Sequence, residues 1–116
     1  MKKENIIKKS LDFDRIIKNN KSYKYKDYII YLEKTENNTY HFGLSVGKKI
    51  GNAVTRNKIK RQLKNIIDKN NYEKGINCII IVRKGLLEKT YQEKEKILLE
   101  VFHKLNIIKE KNNEKK

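Results

Sequence analysis

Apolar positions recur along the chain with two periods, and the switches between them mark out the elements. Phe13, Ile16 and Ile17 share one face of a short helix ending near Asn19, with Ser10 placed to cap it. Asn19-Asn20-Lys21-Ser22 breaks that helix, and a short extra strand fits near residues 22–26. Residues 28–32 (Tyr-Ile-Ile-Tyr-Leu) are apolar or aromatic throughout, as in a strand covered on both faces. Glu36-Asn37-Asn38 has the composition of a hairpin turn, because asparagine tolerates left-handed backbone. Tyr40, Phe42, Leu44 and Val46 then alternate with His41, Gly43 and Ser45, predicting a strand with its first set toward the core.

The period lengthens over residues 52–69, where Ile59, Leu63, Ile66 and Ile67 make a helical stripe. Asn57, Lys60, Arg61 and Lys64 fall together on an adjacent arc. Arg56 lies within the stripe's direction and leaves two readings open: projection past the sheet edge, or a stem laid along apolar surface. Residues 77–82 (Asn-Cys-Ile-Ile-Ile-Val) predict a central strand. Thr90-Tyr91-Gln92-Glu93 is a capping box, opening a helix that turns Leu98, Val101, Phe102 and Leu105 inward. The order is α-β-β-α-β-α, or α-β-β-β-α-β-α with the short strand counted. It describes one α+β domain over residues 1–108, followed by a charged tail, 109–116, expected to be disordered.

A chain of 116 residues can bury roughly two thirds of its unfolded surface and fold alone. Its 29 basic and 14 acidic residues leave a net charge of +15, a self-repelling surface that calls for a polyanionic partner. Nucleic acid leads and an anionic membrane comes second. No apolar run approaches the ~20 residues of a membrane span, and the amino terminus lacks the pattern of a signal peptide, which predicts a cytoplasmic protein. The single cysteine, Cys78, lies among Ile79, Ile80 and Ile81 and reads as a small core residue.

Only four arginines occur, and Arg56 and Arg61 both fall in the basic helix, where a rigid fork of donors suits phosphate. Gly51-Asn52-Ala53 opens that helix and offers free amides and a partial positive charge to a phosphate. A solvated face is the commoner fate of a lysine-rich helix. Here the residues themselves decide otherwise. Val46-Gly47-Lys48-Lys49-Ile50-Gly51-Asn52-Ala53-Val54-Thr55-Arg56-Asn57-Lys58-Ile59-Lys60-Arg61 closely resembles the signature of the protein subunit of bacterial ribonuclease P. Leu11-Asp12-Phe13, Ile16-Ile17, the strand at 28–32, Leu44-Ser45-Val46 and the run at 79–84 resemble that family in order and spacing, over about residues 6–105.

The resemblance implies a small α/β sandwich with a mixed sheet of about four strands, three helices and a left-handed βαβ crossover, as in the second domain of ribosomal protein S5. It implies docking of a catalytic ribonuclease P RNA by Lys48, Lys49, Arg56, Asn57, Lys58, Lys60, Arg61 and Lys64. It places the 5′ leader of precursor tRNA in a cleft at Phe13, Ile17 and Tyr31, with Ser45 a candidate backbone contact. Chemistry would belong to the RNA, with Mg²⁺ held mainly by RNA and substrate, and the protein would improve substrate and metal affinity without an organic cofactor. Two positions depart from the family. Lys58 stands where arginine is usual, and Ile17 where many relatives carry an aromatic.

Phe13 and Tyr31 suit a core as well as a cleft floor, and a strand serine such as Ser45 is often merely solvent-facing. His41 and His103 have no cysteine or carboxylate cluster at ligand spacing, and the aspartates Asp12, Asp14, Asp27 and Asp68 do not form the convergent set a metal nuclease needs. No catalytic or metal-binding residue is therefore expected on the protein. A ribosomal-type structural RNA-binding protein is the alternative reading, and the string from Gly51 to Arg61 argues against it. A membrane binder would need the apolar stripe of the basic helix, which the core requires.

Overall fold

Strand β4 (Ile76–Val82) is almost wholly buried, and the other elements are arranged around it. The computed structural model describes residues 1–109. In chain order it contains α1 (Ser10–Asn19), β1 (Ser22–Tyr25), β2 (Tyr28–Lys34), β3 (Tyr40–Ser45), α2 (Ala53–Asp68), β4 and α3 (Tyr91–Lys104). The predicted order of three helices and four strands is the observed one, the extra short strand included.

The sheet runs β1-β2-β4-β3, with β4 antiparallel to β2 and parallel to β3. Glu36-Asn37-Asn38 therefore does not form the expected hairpin, because β4 inserts between β2 and β3. Asn37 and Asn38 also avoid left-handed backbone; among described non-glycine residues only Lys26 (φ 52°) and Asn106 (φ 63°) adopt positive φ. The hairpin is instead β1–β2, with Lys26 in its turn.

Register assigns alternate residues to two layers. Tyr28, Ile30, Phe42, Cys78 and Ile80 face α2 and α3, and join Ile59, Leu63, Ile66, Ile67, Leu98, Val101 and Phe102 in the main core. Burial pushes the Cys78 thiol pKa up, as for an inert core cysteine. The other face carries α1. Ile16 and Ile79 are both fully buried yet lie outside the main cluster, under that helix.

Local chemistry sets the helix ends. Asn52 caps α2 by accepting the Thr55 amide at 2.9 Å, and both halves of the Thr90/Glu93 capping box are present. Ser10 does not cap α1; it is the first helical residue, and Lys9 holds the cap position without a side-chain bond. Leu105 closes α3 as its C-cap, half-buried. Of the expected tail, the Lys109 amide donates to Asn71 O at 2.8 Å, and residues 110–116 lie outside those described.

Candidate nucleic-acid interface

The inner stripe of α2, Ile59-Leu63-Ile66-Ile67, is buried, which turns its remaining circumference outward. Asn57, Lys58 and Arg61 are exposed, while Lys60 and Lys64 are half-buried. Arg56 is half-buried with its Nε out of solvent and without a hydrogen-bond partner, so the stem reading applies. Lys48 and Lys49 stand exposed on a short 3-10 turn just before the helix. The acid nearest this surface in α2 is Asp68, its last residue. Among the described residues none of Arg56, Lys58, Lys60, Arg61 and Lys64 is ion-paired, whereas Arg15, Lys26, Lys69 and Lys89 all are. Cations left without carboxylates are available to phosphates.

The α1 face of the sheet is a ladder of three rows. In the middle row Tyr31 pairs with Ile79 and Ile79 with Gly43. A Cβ on Gly43 would lie 2.7 Å from Phe13 Cζ, so the glycine lets the Phe13 ring rest on β3. Tyr31 and Phe13, both half-buried, thus flank Ile79 on one face. The next row is Ile29-Ile81-Ser45, with Ser45 half-buried at the end of β3. Ile17 is half-buried on α1.

The third row is polar. Asn77 accepts or donates along a chain of side chains: His41 Nδ1 lies 2.9 Å from Asn77 Oδ1, and Asn77 Nδ2 donates to Glu33 Oε1 at 2.8 Å. Glu33 in turn pairs with Arg15 of α1. This row borders a pocket of about 320 Å³ with Lys8, Lys9, Asp12 and Asn37 on its rim.

A second pocket, of about 240 Å³, connects the two surfaces: Phe13 from α1, Leu44 from β3 and Lys60 and Lys64 from α2 line it with Ile7 and Lys8. An aromatic floor with a cationic rim is what single-stranded nucleic acid requires. Sequence reasoning missed Lys8, which borders both pockets, and Arg15. The Lys8-Lys9 pair directly before α1 was the available signal. Among the described residues no group of three His, Cys, Asp or Glu could hold a metal ion, and no helix is long and apolar enough to cross a membrane.

Comparison with known proteins bears on the family and the fold. The family described as Ribonuclease P matches residues 1–106. The ribonuclease P protein component of Mycoplasma capricolum subsp. capricolum is 41% identical over 108 residues, covering 90% of this chain and 99% of its own length. That of Streptococcus pneumoniae serotype 4 is 38% identical and covers 100% of this chain and 96% of itself. Among solved structures, the Staphylococcus aureus RNase P protein superposes with a TM-score of 0.82 at 30% identity, over 90% of this chain and 98% of that one. The protein from Thermotoga maritima gives 0.77 at 26% identity, over 84% and 94%.

Proposed function

Since the chain belongs to the ribonuclease P protein family, and so is a protein subunit of that tRNA-processing ribonucleoprotein, we propose a division of its surface between two RNAs. The outer arc of α2, with Lys48 and Lys49, docks the catalytic RNA. The α1 face holds the 5′ leader of precursor tRNA, with Phe13 and Tyr31 as stacking surfaces, Ile17 as an apolar wall and Ser45 at the backbone. Cleavage is assigned to the RNA subunit, and Mg²⁺ bound by RNA and substrate would supply the activation of water for phosphodiester hydrolysis. The protein works in the cytoplasm and contributes affinity rather than reacting groups.

One observation carries this reading: a single pocket brings Phe13 of the α1 face beside the unpaired cations Lys60 and Lys64. A leader leaving the catalytic centre next to α2 can enter the α1 face without crossing acidic surface. A ribosomal-type role would use the cations alone and leave the aromatic floor without a task. The test mixes the protein with a bacterial ribonuclease P RNA and a precursor tRNA at low Mg²⁺. Leader release that requires both protein and RNA is expected; release by the protein alone, or by RNA equally well without it, refutes the division.

A further inference from the structure

The seam between α2 and α3 has two unlike ends. At one, Lys69 Nζ lies 3.3 Å from Glu95 Oε2 and 5.0 Å from the Tyr91 ring centroid, and Asn65 donates to the Tyr91 hydroxyl at 2.9 Å. Every charge there has an answer. At the other end Lys94 is only 7% exposed and donates to the neutral Gln62 Oε1 at 2.7 Å. Among the described residues no carboxylate is ion-paired with it.

The position of Lys94 is enforced from both sides. Its amide donates to Thr90 O at 2.9 Å, and its carbonyl accepts the buried Tyr28 hydroxyl at 3.1 Å, which ties the start of α3 to β2. Burial lowers the pKa of its ammonium from the ordinary lysine value, and the charge of Lys58 adds to the effect. Lys58 precedes Gln62 by one helical turn, so the two share the side of α2 that approaches α3. An ammonium carries three donors, of which Gln62 takes one. Confining it beside a second cation costs free energy that an apolar side chain of the same length would not incur. The cost is recovered when an anion arrives.

We propose that Lys94 is a phosphate ligand shared with Lys58, which extends the RNA-docking surface from α2 onto the first turns of α3. The assignment rests on the reading of α2 as the docking helix for the catalytic RNA. A phosphate seated there accepts from both ammoniums and leaves the Lys94–Gln62 bond in place.

Binding of a bacterial ribonuclease P RNA is measured for the wild-type protein, Lys94→Met, Lys58→Met, the double variant and Arg61→Ala, across ~50 to ~400 mM salt. Lys94→Met keeps the length of the stem and removes the charge. It should weaken binding about five- to thirtyfold near ~150 mM salt and flatten the slope of log affinity against log salt by about one. Because one phosphate is shared, the double variant should lose less than the product of the single losses. Thermal stability should stay level or rise. A role confined to bridging the two helices would lower stability and leave the salt slope alone. Wild-type affinity and slope in Lys94→Met, with Arg61→Ala weakened, overturns the phosphate site and spares the docking helix. Unchanged binding in both variants overturns the docking helix itself. Lys94→Gln, which retains a polar partner for Gln62, gives the same readout should Lys94→Met fold poorly.

Discussion

The two faces of this sheet are held by different physics. On the α2/α3 face Tyr28, Ile30, Phe42, Cys78 and Ile80 are each at most 1% exposed. Aromatic edges interlock there, with Phe42 4.7 Å from Tyr72 and 5.7 Å from Phe102 between ring centroids. The α1 face is closed by a ten-residue helix with a single buried side chain, Ile16. A polar chain from Arg15 through Glu33 and Asn77 to His41 crosses it, and pockets open at both its borders. The same strands thus hand alternate residues to two tasks. One set supplies the apolar burial on which a marginally stable domain depends. The other is covered less completely and opens to pockets at its borders.

The largest effect should come from the dry face. Phe42→Ala removes a ring packed against those of Tyr40, Tyr72 and Phe102 and should cost about 3–5 kcal/mol of stability, measured as a lowered midpoint of denaturant unfolding. A loss no greater than that of a surface variant would erase the contrast between the faces.

Tyr31→Ala sharpens the contrast from the other side. If a leader nucleotide stacks on Tyr31, precursor tRNA affinity of the holoenzyme should fall by ~1–3 kcal/mol, while affinity for mature tRNA and assembly with the RNA subunit hold. Half-burial of Tyr31 means the fold should survive. Equal weakening toward precursor and mature tRNA, or a collapse of the domain, would return Tyr31 to a purely structural role.

How much of this was legible before the fold was known depends on the range of each interaction. The stripe Ile59-Leu63-Ile66-Ile67 and its cationic arc could be read because helix periodicity is local. The capping box at Thr90 is local too. The hairpin assigned to Glu36-Asn37-Asn38 misled because turn composition does not reveal whether a strand from forty residues downstream, such as Ile80 beside Ile30, will intervene. The polar chain was invisible for the same reason. Asn77 looked like the polar start of an apolar strand, and only the register brings Glu33 and His41 to either side of it. Lys94 was hidden inside an amphipathic helix as one lysine among many; its distinction is the neighbour it lacks.

That polar chain yields the next smaller prediction. Asn77→Ala leaves Glu33 Oε1 and His41 Nδ1 without their shared partner on a strand position only 8% exposed. Both neighbours are half-buried, and His41 lines the pocket together with Asn77, so water can recover part of the loss. Stability should fall by about 1–2 kcal/mol, less than for Phe42→Ala, in the same unfolding measurement. A loss equal to that of Phe42→Ala would mean the α1 face is as dry as the other.

The smallest effect asks whether the α2/α3 layer is held by burial alone. Glu93 accepts the Thr90 amide at 2.8 Å and closes the capping box of α3 from solvent. That backbone bond, assisted by the Thr90 side chain and Lys89, holds the Glu93 carboxyl pKa below its ordinary 4.5. A carboxyl with a folded pKa below its unfolded one stabilises the fold above the unfolded value and loses that contribution as pH falls through the folded one. Glu93→Gln should therefore be slightly less stable than wild type at neutral pH, and the two unfolding midpoints should converge as the solution is acidified below pH ~4. The gap should be small, since the group is exposed and screened. A difference of the same size at pH ~3 and pH ~7 would show that the carboxylate's charge does not act through the cap. The start of α3, and with it the placement of Lys94 one residue further along, would then depend on the core beneath it.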